Sequence, residues 1–344
     1  MSYSARHLNP SEAAKRLGVS TKALRLYEQR GLLAPVRTAA GWRAYGPTEM
    51  ARAAEIVALR DLGLSLAQIA RVLKGSPDGL EPALAAQQAI LERQVRQING
   101  TVEKVRAIRE NMAAGRAPSI AELARLMRPA AELSIAFNLP WPWGRERFEL
   151  FDVRSLNYIV GPLGSGKTRL ARTIAEALPG AAFIDLERLA DNGARAQARI
   201  EADPSLKGRV DRALAWLVED GAEASGALIA LLAASESEEA AILVIDMVEQ
   251  GLNESSQVAV SNYLRRRGAH SRPVFLLTRS SSILDLDAVT AHEAIILCPA
   301  NHSPPRRIEP CPGAPGYEAV ATCLASPAVR ARTEGIIAWR PQVA

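Results

Sequence analysis

The chain has 344 residues, of which 48% are hydrophobic and 23% are charged. This length is enough for about two or three compact units, and the composition excludes an intrinsically disordered chain. The sequence has no run of about 18 uninterrupted apolar residues, so it does not predict a membrane-spanning helix. Because residues 1–9 lack the apolar core of a secretory signal, we expect a cytoplasmic protein without a membrane partner.

Positive charge is concentrated near the N-terminus. Residues 1–75 contain 12 Lys or Arg residues and five Asp or Glu residues, whereas the whole chain has a formal net charge of +5. The remainder of the chain is therefore slightly acidic. A basic segment joined to a nearly neutral body indicates a partner with a phosphate backbone. The alternative, a merely solvated basic surface, does not require this asymmetry.

Helix start signals in the basic segment predict a compact helical unit. Asn9-Pro10-Ser11-Glu12 has the pattern of a helix start with a capping box. Ser20 then caps a second helix, and this spacing is typical of a helix-turn-helix, in which the second helix enters the major groove of DNA. Residues 42–45 predict a short β-wing. Because all of these local signals agree, we predict a winged helix-turn-helix domain over residues 5–75.

The same segments resemble the DNA-binding domain of MerR-type transcription regulators. The resemblance covers about the first 75 residues, and it is carried by segments 13–20, 23–28, 31–35, 42–45 and 59–66. It implies a nucleoid-associated dimer that binds double-stranded promoter or operator DNA, with RNA polymerase as a further partner. Leu26 and Trp42 stand where the family usually has tyrosines. The DNA-contacting residues that the resemblance implies are Ser20, Thr21, Lys22, Arg25, Tyr27, Trp42, Arg43 and Tyr45.

An apolar repeat extends through residues 82–113. Its members alternate between spacings of four and three residues, with charged residues between them. They are Leu91, Val95, Ile98, Val102, Val105, Ile108 and Met112. The pattern predicts a coiled-coil helix that pairs two copies of the chain, as in MerR-like proteins. The alternative is an amphipathic helix that packs on its own chain.

A phosphate-binding motif begins the second half of the chain. Gly161-Pro162-Leu163-Gly164-Ser165-Gly166-Lys167-Thr168 matches the pattern G-x-x-x-x-G-K-[ST], with an apolar run before it and a helical pattern after it. Glycines allow consecutive backbone N–H groups to surround an anion at the positive end of a helix. We therefore predict an ATP or GTP site, and a chance glycine-rich turn is the alternative. The predicted nucleotide-binding residues are Gly161, Gly164, Ser165, Gly166, Lys167 and Thr168.

A buried strand supplies a second part of this predicted site. Residues 241–245 form an apolar run that is typical of a strand buried on both faces, and Asp246 follows it. We predict that Thr168 and Asp246 hold Mg²⁺, while Lys167 contacts the β- and γ-phosphates. Alternating strand and helix patterns predict an α/β P-loop NTPase domain with a mainly parallel sheet over residues 133–344, after a linker at 114–132.

Three branches of P-loop proteins remain open. Ser225-Gly226 before a helix, followed by residues 246–253, resembles the signature helix, Walker B strand and D-loop of a degenerate ABC-type ATPase. Thr278-Arg279 instead resembles a sensor of AAA+ or signal-transduction NTPases. Asp185 after the second strand is reminiscent of a small-molecule kinase, although the late position of Asp246 counts against that branch.

The expected catalytic groups are incomplete. Met247 stands where ABC-type enzymes carry a catalytic glutamate, and Arg279 stands where they carry a switch histidine. Glu249 and Arg279 are therefore the catalytic candidates, and we expect a slow ATPase or none. Upstream, Trp141 and Trp143 either stack on the adenine ring or belong to a packed loop.

The sequence as a whole predicts a multidomain protein, with a winged helix-turn-helix domain, a coiled-coil helix and a P-loop domain. We interpret it as a dimeric regulator of MerR type in which nucleotide binding acts as a switch. The alternatives are an ATP-driven DNA-processing or maintenance ATPase and, with less support, a small-molecule kinase fusion.

Overall fold

The computed structural model describes residues 7–38, 40–77, 80–113, 134–268, 271–290 and 292–331. The chain divides into two compact units, and residues 138–148 belong to the same unit as the large C-terminal part. The predicted linker at 114–132 lies outside the described residues. None of the helices in the described part is long and apolar enough to cross a membrane.

The first unit contains a winged helix-turn-helix, as predicted. Its two short strands pair antiparallel and form the wing. The elements are α1 (Pro10–Leu17), α2 (Thr21–Gln29), β1 (Val36–Arg37), β2 (Arg43–Ala44), α3 (Pro47–Asp61), α4 (Leu66–Val72) and α5 (Leu80–Ala113). Helix α5 has 34 residues and contains the predicted coiled-coil segment.

Local capping fixes the start of the first helices. The side chain of Asn9 accepts a hydrogen bond from the backbone N–H of Glu12 at 3.0 Å, and the Glu12 carboxylate accepts one from the N–H of Asn9 at 3.0 Å. Ser20 caps α2 by accepting from the N–H of Ala23 at 3.2 Å. Gly18 has φ of 69°, a left-handed conformation that suits glycine at the turn between the helices. These caps orient α2 against a core that includes Leu24, which is fully buried.

The second unit is built on a six-stranded sheet. Its strands are β5 (Leu156–Val160), β6 (Ala181–Ile184), β7 (Ile242–Ile245), β8 (Val274–Leu277), β9 (Glu293–Leu297) and β10 (Arg306–Ile308). Their order in the sheet is β10-β9-β5-β8-β7-β6. All neighbours are parallel except β10, which is antiparallel to β9, so the predicted mainly parallel sheet is confirmed. A separate two-stranded sheet joins β3 (Ile135–Asn138) and β4 (Arg147–Leu150).

Helices cover both faces of the large sheet, and its central strands are buried throughout. The helices are α6 (Lys167–Ala177), α7 (Ala194–Ala202), α8 (Pro204–Glu219), α9 (Gly226–Ser235), α10 (Glu254–Arg266), α11 (Tyr317–Cys323) and α12 (Pro327–Ala331). Helix α6 contacts one face, while the helices α8, α9 and α10 share a buried cluster with side chains of the other. This arrangement explains the continuous apolar runs in the sequence.

The order of the strands determines where the site lies. Strand β8 lies between β5, which precedes the phosphate loop, and β7, which precedes Asp246. Neighbouring strands are about 4.8 Å apart, so β5 and β7 are separated by roughly 10 Å. Because parallel strands end at the same edge of a sheet, the loops after β5, β7 and β8 meet there.

Candidate functional site

The phosphate loop runs from the end of β5 to the start of α6. Its backbone conformation and close packing require glycine at three positions. Gly164 and Gly166 have φ of 79° and 91°, a left-handed region that other residues rarely adopt. A methyl group added to Gly161 would lie 2.3 Å from the carbonyl oxygen of Cys298. Gly166 is the N-cap of α6, so the loop ends at the positive pole of that helix.

The lysine of the loop is buried and hydrogen-bonded. Lys167 Nζ donates to the carbonyl oxygens of Gly161 at 2.8 Å and Pro162 at 2.7 Å. Burial lowers the pKa of Lys167. The hydroxyl of Ser165 is also buried, and it has no hydrogen-bond partner within the described part of the chain. The loop thus concentrates donors around one small volume.

The two predicted magnesium ligands are in contact. Thr168 Oγ1 donates to Asp246 Oδ2 at 3.1 Å, and Asp246 is 6% exposed. Burial raises the pKa of Asp246, whereas the Thr168 hydroxyl and the cations of Arg188 and Lys167 act in the opposite direction. Hydroxyl and carboxylate oxygens are the ligands that Mg²⁺ prefers. This pair therefore has the chemistry that a magnesium site requires.

The two catalytic candidates contact each other. Glu249 is 2% exposed, and its Oε1 accepts a hydrogen bond from the backbone N–H of Arg279 at 3.0 Å. Burial is the main cause that lowers the pKa of Lys167, and the positive charge of Arg279 lowers it further. Thr278, at the end of β8, is fully buried. Met247, directly after the Asp246 acid, has φ of 44° and supplies no carboxylate.

The two tryptophans upstream of the loop have different environments. Trp143 is 2% exposed, and a methyl group added to Gly166 would lie 2.4 Å from its ring. Trp141 is 74% exposed. The guanidinium of Arg169 lies 4.7 Å from the centre of the Trp141 ring and donates to the Trp141 carbonyl at 3.0 Å. Trp143 therefore belongs to the packed support of the loop, while Trp141 presents an exposed ring beside α6.

The segment that resembles an ABC signature packs on its own chain. The hydroxyl of Ser225 caps α9 by accepting from the N–H of Leu228 at 3.2 Å. A methyl group added to Gly226 would lie 1.9 Å from the carbonyl oxygen of Asn192, so the backbones are in close contact there. Asp185 follows β6 at the edge of the sheet, three strands away from β5, where it caps a short 3-10 turn.

The predicted DNA-contacting residues separate into exposed and buried groups. Lys22, Arg25 and Trp42 are exposed, while Thr21 and Arg43 are partly exposed. The buried group consists of Ser20 (the cap of α2), Tyr27 and Tyr45, and both tyrosines belong to the hydrophobic core of the unit. The tyrosine rings therefore support the wing and α2 from beneath.

Sequence reasoning missed Glu28, which joins α2 to both strands of the wing. Its carboxylate forms ion pairs with Arg37 and Arg43, each at 2.5 Å. Hydrogen bonding to Glu28 raises the pKa of Arg43. The local pattern gives no signal for these contacts, because they join residues far apart in sequence. Sequence reasoning also missed Arg188, whose guanidinium contacts the backbone of Asp246 and Met247.

Comparison with known proteins identifies the first unit. The family model for the MerR HTH family regulatory protein matches residues 8–76. A protein of Haemophilus influenzae, described as a probable heavy metal-dependent transcriptional regulator, is 39% identical over 105 residues. These are 28% of this chain and 82% of that protein.

Solved structures give two further similarities. One is a MerR family regulator lacking the sensor domain, bound to promoter DNA, with 22% identity over 32% of this chain and 92% of that one, and a TM-score of 0.25. The other is the ADP conformation of an ATP-binding cassette of an ABC transporter, with 14% identity over 60% of this chain and 100% of that one, and a TM-score of 0.39. The relative from Haemophilus influenzae is matched over most of its length, and on that ground the chain belongs to the MerR family of HTH transcriptional regulators.

Proposed function

We propose that this MerR-family regulator is a DNA-binding dimer whose P-loop unit binds ATP or GTP with Mg²⁺ as a regulatory switch. One observation carries the proposal. In a chain that begins with a MerR helix-turn-helix, Lys167, Thr168 and Asp246 converge at the end of a parallel sheet. The loop combines a glycine-rich backbone, a helix N-terminus and a neighbouring pair of oxygens of the kind that Mg²⁺ prefers.

The contacts in the loop support specific roles in nucleotide binding. Lys167 would exchange its two loop carbonyls for phosphate oxygens, and Thr168 and Asp246 would hold the metal ion. The bound Mg²⁺ would neutralise charge on the β- and γ-phosphates. The exposed ring of Trp141, backed by Arg169, is a suitable surface for stacking of the base.

The surroundings of Asp246 favour a switch over a motor. A rapid NTPase needs a group that orients or deprotonates the attacking water. Met247 has no such group, and Glu249 directs a carboxylate oxygen at the backbone of Arg279. We therefore propose slow hydrolysis, so that the bound nucleotide persists long enough to report its concentration.

The exposed cations of α2 and the wing support recognition of DNA. Lys22 and Arg25 lie near the start of α2, the part of a recognition helix that contacts base edges in the major groove. Arg37 and Arg43 are held on the wing by Glu28, where they would contact flanking phosphates. This surface fits double-stranded DNA, and we propose promoter DNA in the nucleoid as its partner, with RNA polymerase as a further partner of the regulator.

The apolar face of α5 supports a dimer. Its members are exposed to between 40% and 62%, although they are large and hydrophobic. A continuous exposed stripe of this kind on a long helix is typical of an association surface. We propose that a second copy of α5 covers it. The exposed members of the repeat are Leu91, Val95, Ile98, Val102, Val105 and Met112.

The test is binding and hydrolysis of ATP and GTP by the purified protein, with and without promoter DNA. Lys167→Ala is the control, because it removes the cation of the loop. We expect tight binding with little hydrolysis, a discrete footprint on the promoter, and loss of nucleotide binding in the control. Hydrolysis that DNA stimulates and that Lys167→Ala abolishes would favour a DNA-processing ATPase. Absence of nucleotide binding would overturn the proposal.

A further inference from the structure

Arg188 lies in the 3-10 turn Leu186–Leu189, after β6, and its guanidinium binds three backbone carbonyls. Nη1 donates to the carbonyl oxygens of Asp185 at 2.7 Å and Asp246 at 2.9 Å, and Nη2 donates to that of Met247 at 2.8 Å. The side chain is only partly exposed. These contacts place a forked cation directly behind the carboxylate proposed to bind Mg²⁺.

The first two contacts join the ends of neighbouring strands. Strands β6 and β7 pair up to Ile184 and Ile245, and the N–H of Asp246 donates to the Ile184 carbonyl at 2.9 Å. Immediately beyond, Nη1 of Arg188 bridges the carbonyls of Asp185 and Asp246. The guanidinium thus continues the pairing of the strands for one more residue, where their loops begin.

The third contact holds a strained turn. Met247 has φ of 44°, a conformation that a non-glycine residue adopts only when its surroundings impose it. Its carbonyl accepts from Nη2 of Arg188 and from the N–H of Gln250 at 2.9 Å. The backbone that carries the Asp246 carboxylate is therefore held on both sides, by β6 before the turn and by Arg188 after it. Its Oδ2 then lies 3.1 Å from Thr168 Oγ1.

We infer that Arg188 is a positioning residue for the metal ion: its planar fork holds Asp246 where Asp246 and Thr168 can share Mg²⁺. The inference rests on the proposed nucleotide function. A lysine at this position would keep the positive charge, but it lacks the rigid arrangement of donors that reaches three carbonyls at once. The shape of the guanidinium, and not only its charge, therefore matters. Residues that orient metal ligands typically change metal affinity by about 10- to 100-fold when they are replaced.

The experiment measures ATP affinity by titration calorimetry, once with Mg²⁺ and once with EDTA, for the wild type and for Arg188→Gln and Arg188→Lys. The ratio of the two affinities is the Mg²⁺ enhancement. We expect this enhancement to fall by about tenfold or more in both variants, while affinity in EDTA changes by less than about twofold. Arg195→Gln is the matched control, since the Arg195 side chain lies on the neighbouring helix α7, is 82% exposed and pairs with Asp191 at 3.4 Å.

Two outcomes would overturn the inference. One is an unchanged Mg²⁺ enhancement in both variants; the other is an equal loss of affinity with Mg²⁺ and with EDTA, which would indicate a merely structural role. Asp246→Asn provides a further check through a double-mutant cycle, because Arg188→Gln should have no additional effect once the carboxylate is gone. If the wild type binds neither ATP nor GTP under either condition, the proposed function fails, and the inference fails with it.

Discussion

The two units build their candidate sites in opposite ways. In the first unit, every predicted DNA contact comes from residues 20–45, and the cations among them lie at the surface of one helix and its wing. In the second unit, the site joins Trp143, the phosphate loop, Asp246 and Arg279, which are brought together only by the order of the strands. The first site is local and exposed, whereas the second is assembled over long distances and buried. Substitutions should therefore act differently in the two units.

In the second unit, binding and stability should be lost together, because the same close packing supports both. Gly166→Ala adds a methyl group 2.4 Å from the buried Trp143 ring, at φ of 91°. The left-handed backbone costs about 1–2 kcal/mol for alanine, and overpacking adds about 1–3 kcal/mol. We expect a loss of about 2–5 kcal/mol in the free energy of unfolding of this unit, with loss of nucleotide binding. Chemical unfolding and calorimetry measure the two effects.

Gly208→Ala is the matched control for this prediction. Gly208 lies inside α8, where an added methyl group would meet the flexible end of the Arg212 side chain at 3.5 Å, an ordinary van der Waals contact. Glycine inside a helix is less favourable than alanine by about 1 kcal/mol, so this variant should be slightly more stable and should bind nucleotide normally. Normal nucleotide binding by Gly166→Ala would show that the contact with Trp143 does not shape the loop.

In the first unit, a surface change should leave the fold intact and alter association. Ile98 is 62% exposed on α5, and we expect Ile98→Ser to weaken the proposed dimer. Because Ile98 is already partly shielded by its own helix, its further burial contributes about 0.8–1.5 kcal/mol for each copy. The substitution occurs once in each protomer, so the dissociation constant should rise by about 10- to 100-fold. Sedimentation measures the change, and Glu110→Lys, at an exposed charged position of the same helix, is the control. A dimer that is unaffected by Ile98→Ser would place the interface elsewhere.

The same difference explains how much the sequence could predict. The capping box of Asn9 and Glu12 and the Ser20 cap are contacts over three residues, so local patterns predicted them, and both are confirmed. The apolar run before Asp246 likewise predicted a buried parallel strand, because burial on both faces leaves a continuous pattern. The position of β8 between β5 and β7 leaves no such pattern. The contacts of Arg188, Trp143 and Glu28 also leave no pattern in the sequence, because they form only in the completed fold.

A third prediction tests whether the exposed cations of α2 recognise DNA. Arg25 is exposed on α2, with no structural role in the core. If it contacts a base edge, Arg25→Ala should weaken binding to the promoter site by about 1–3 kcal/mol without changing thermal stability. Fluorescence anisotropy with promoter and scrambled DNA measures the loss. Arg109→Ala, at an exposed position of α5, is the control, and equal losses in the two variants would refute the placement of the recognition helix.

The smallest expected effect on stability is at Glu28. Its contacts with Arg37 and Arg43 are the longer-range part of the proposed DNA-contacting surface. Glu28 pairs with Arg37 and Arg43, whose side chains are 50% and 32% exposed, so water screens the two ion pairs and they stabilise the unit only slightly. Glu28→Gln should therefore lower the free energy of unfolding only slightly. It also removes a negative charge from the surface proposed to contact DNA, which should increase affinity for any sequence.

The effect of Glu28→Gln on specificity separates these two consequences. If Glu28 only neutralises charge, binding to promoter and scrambled DNA should increase equally. If it positions the wing, the ratio of the two affinities should fall, because Arg37 and Arg43 lose their fixed orientation. We expect the ratio to fall by about two- to fivefold, since phosphate contacts by a fixed wing determine the register of the recognition helix. Glu55→Gln removes an equal charge from an exposed pair with Arg52, at 3.1 Å, and should leave the ratio unchanged. If the ratio of affinities is the same in both variants, the wing does not need the Glu28 ion pairs for its orientation. The DNA site would then depend on local contacts alone.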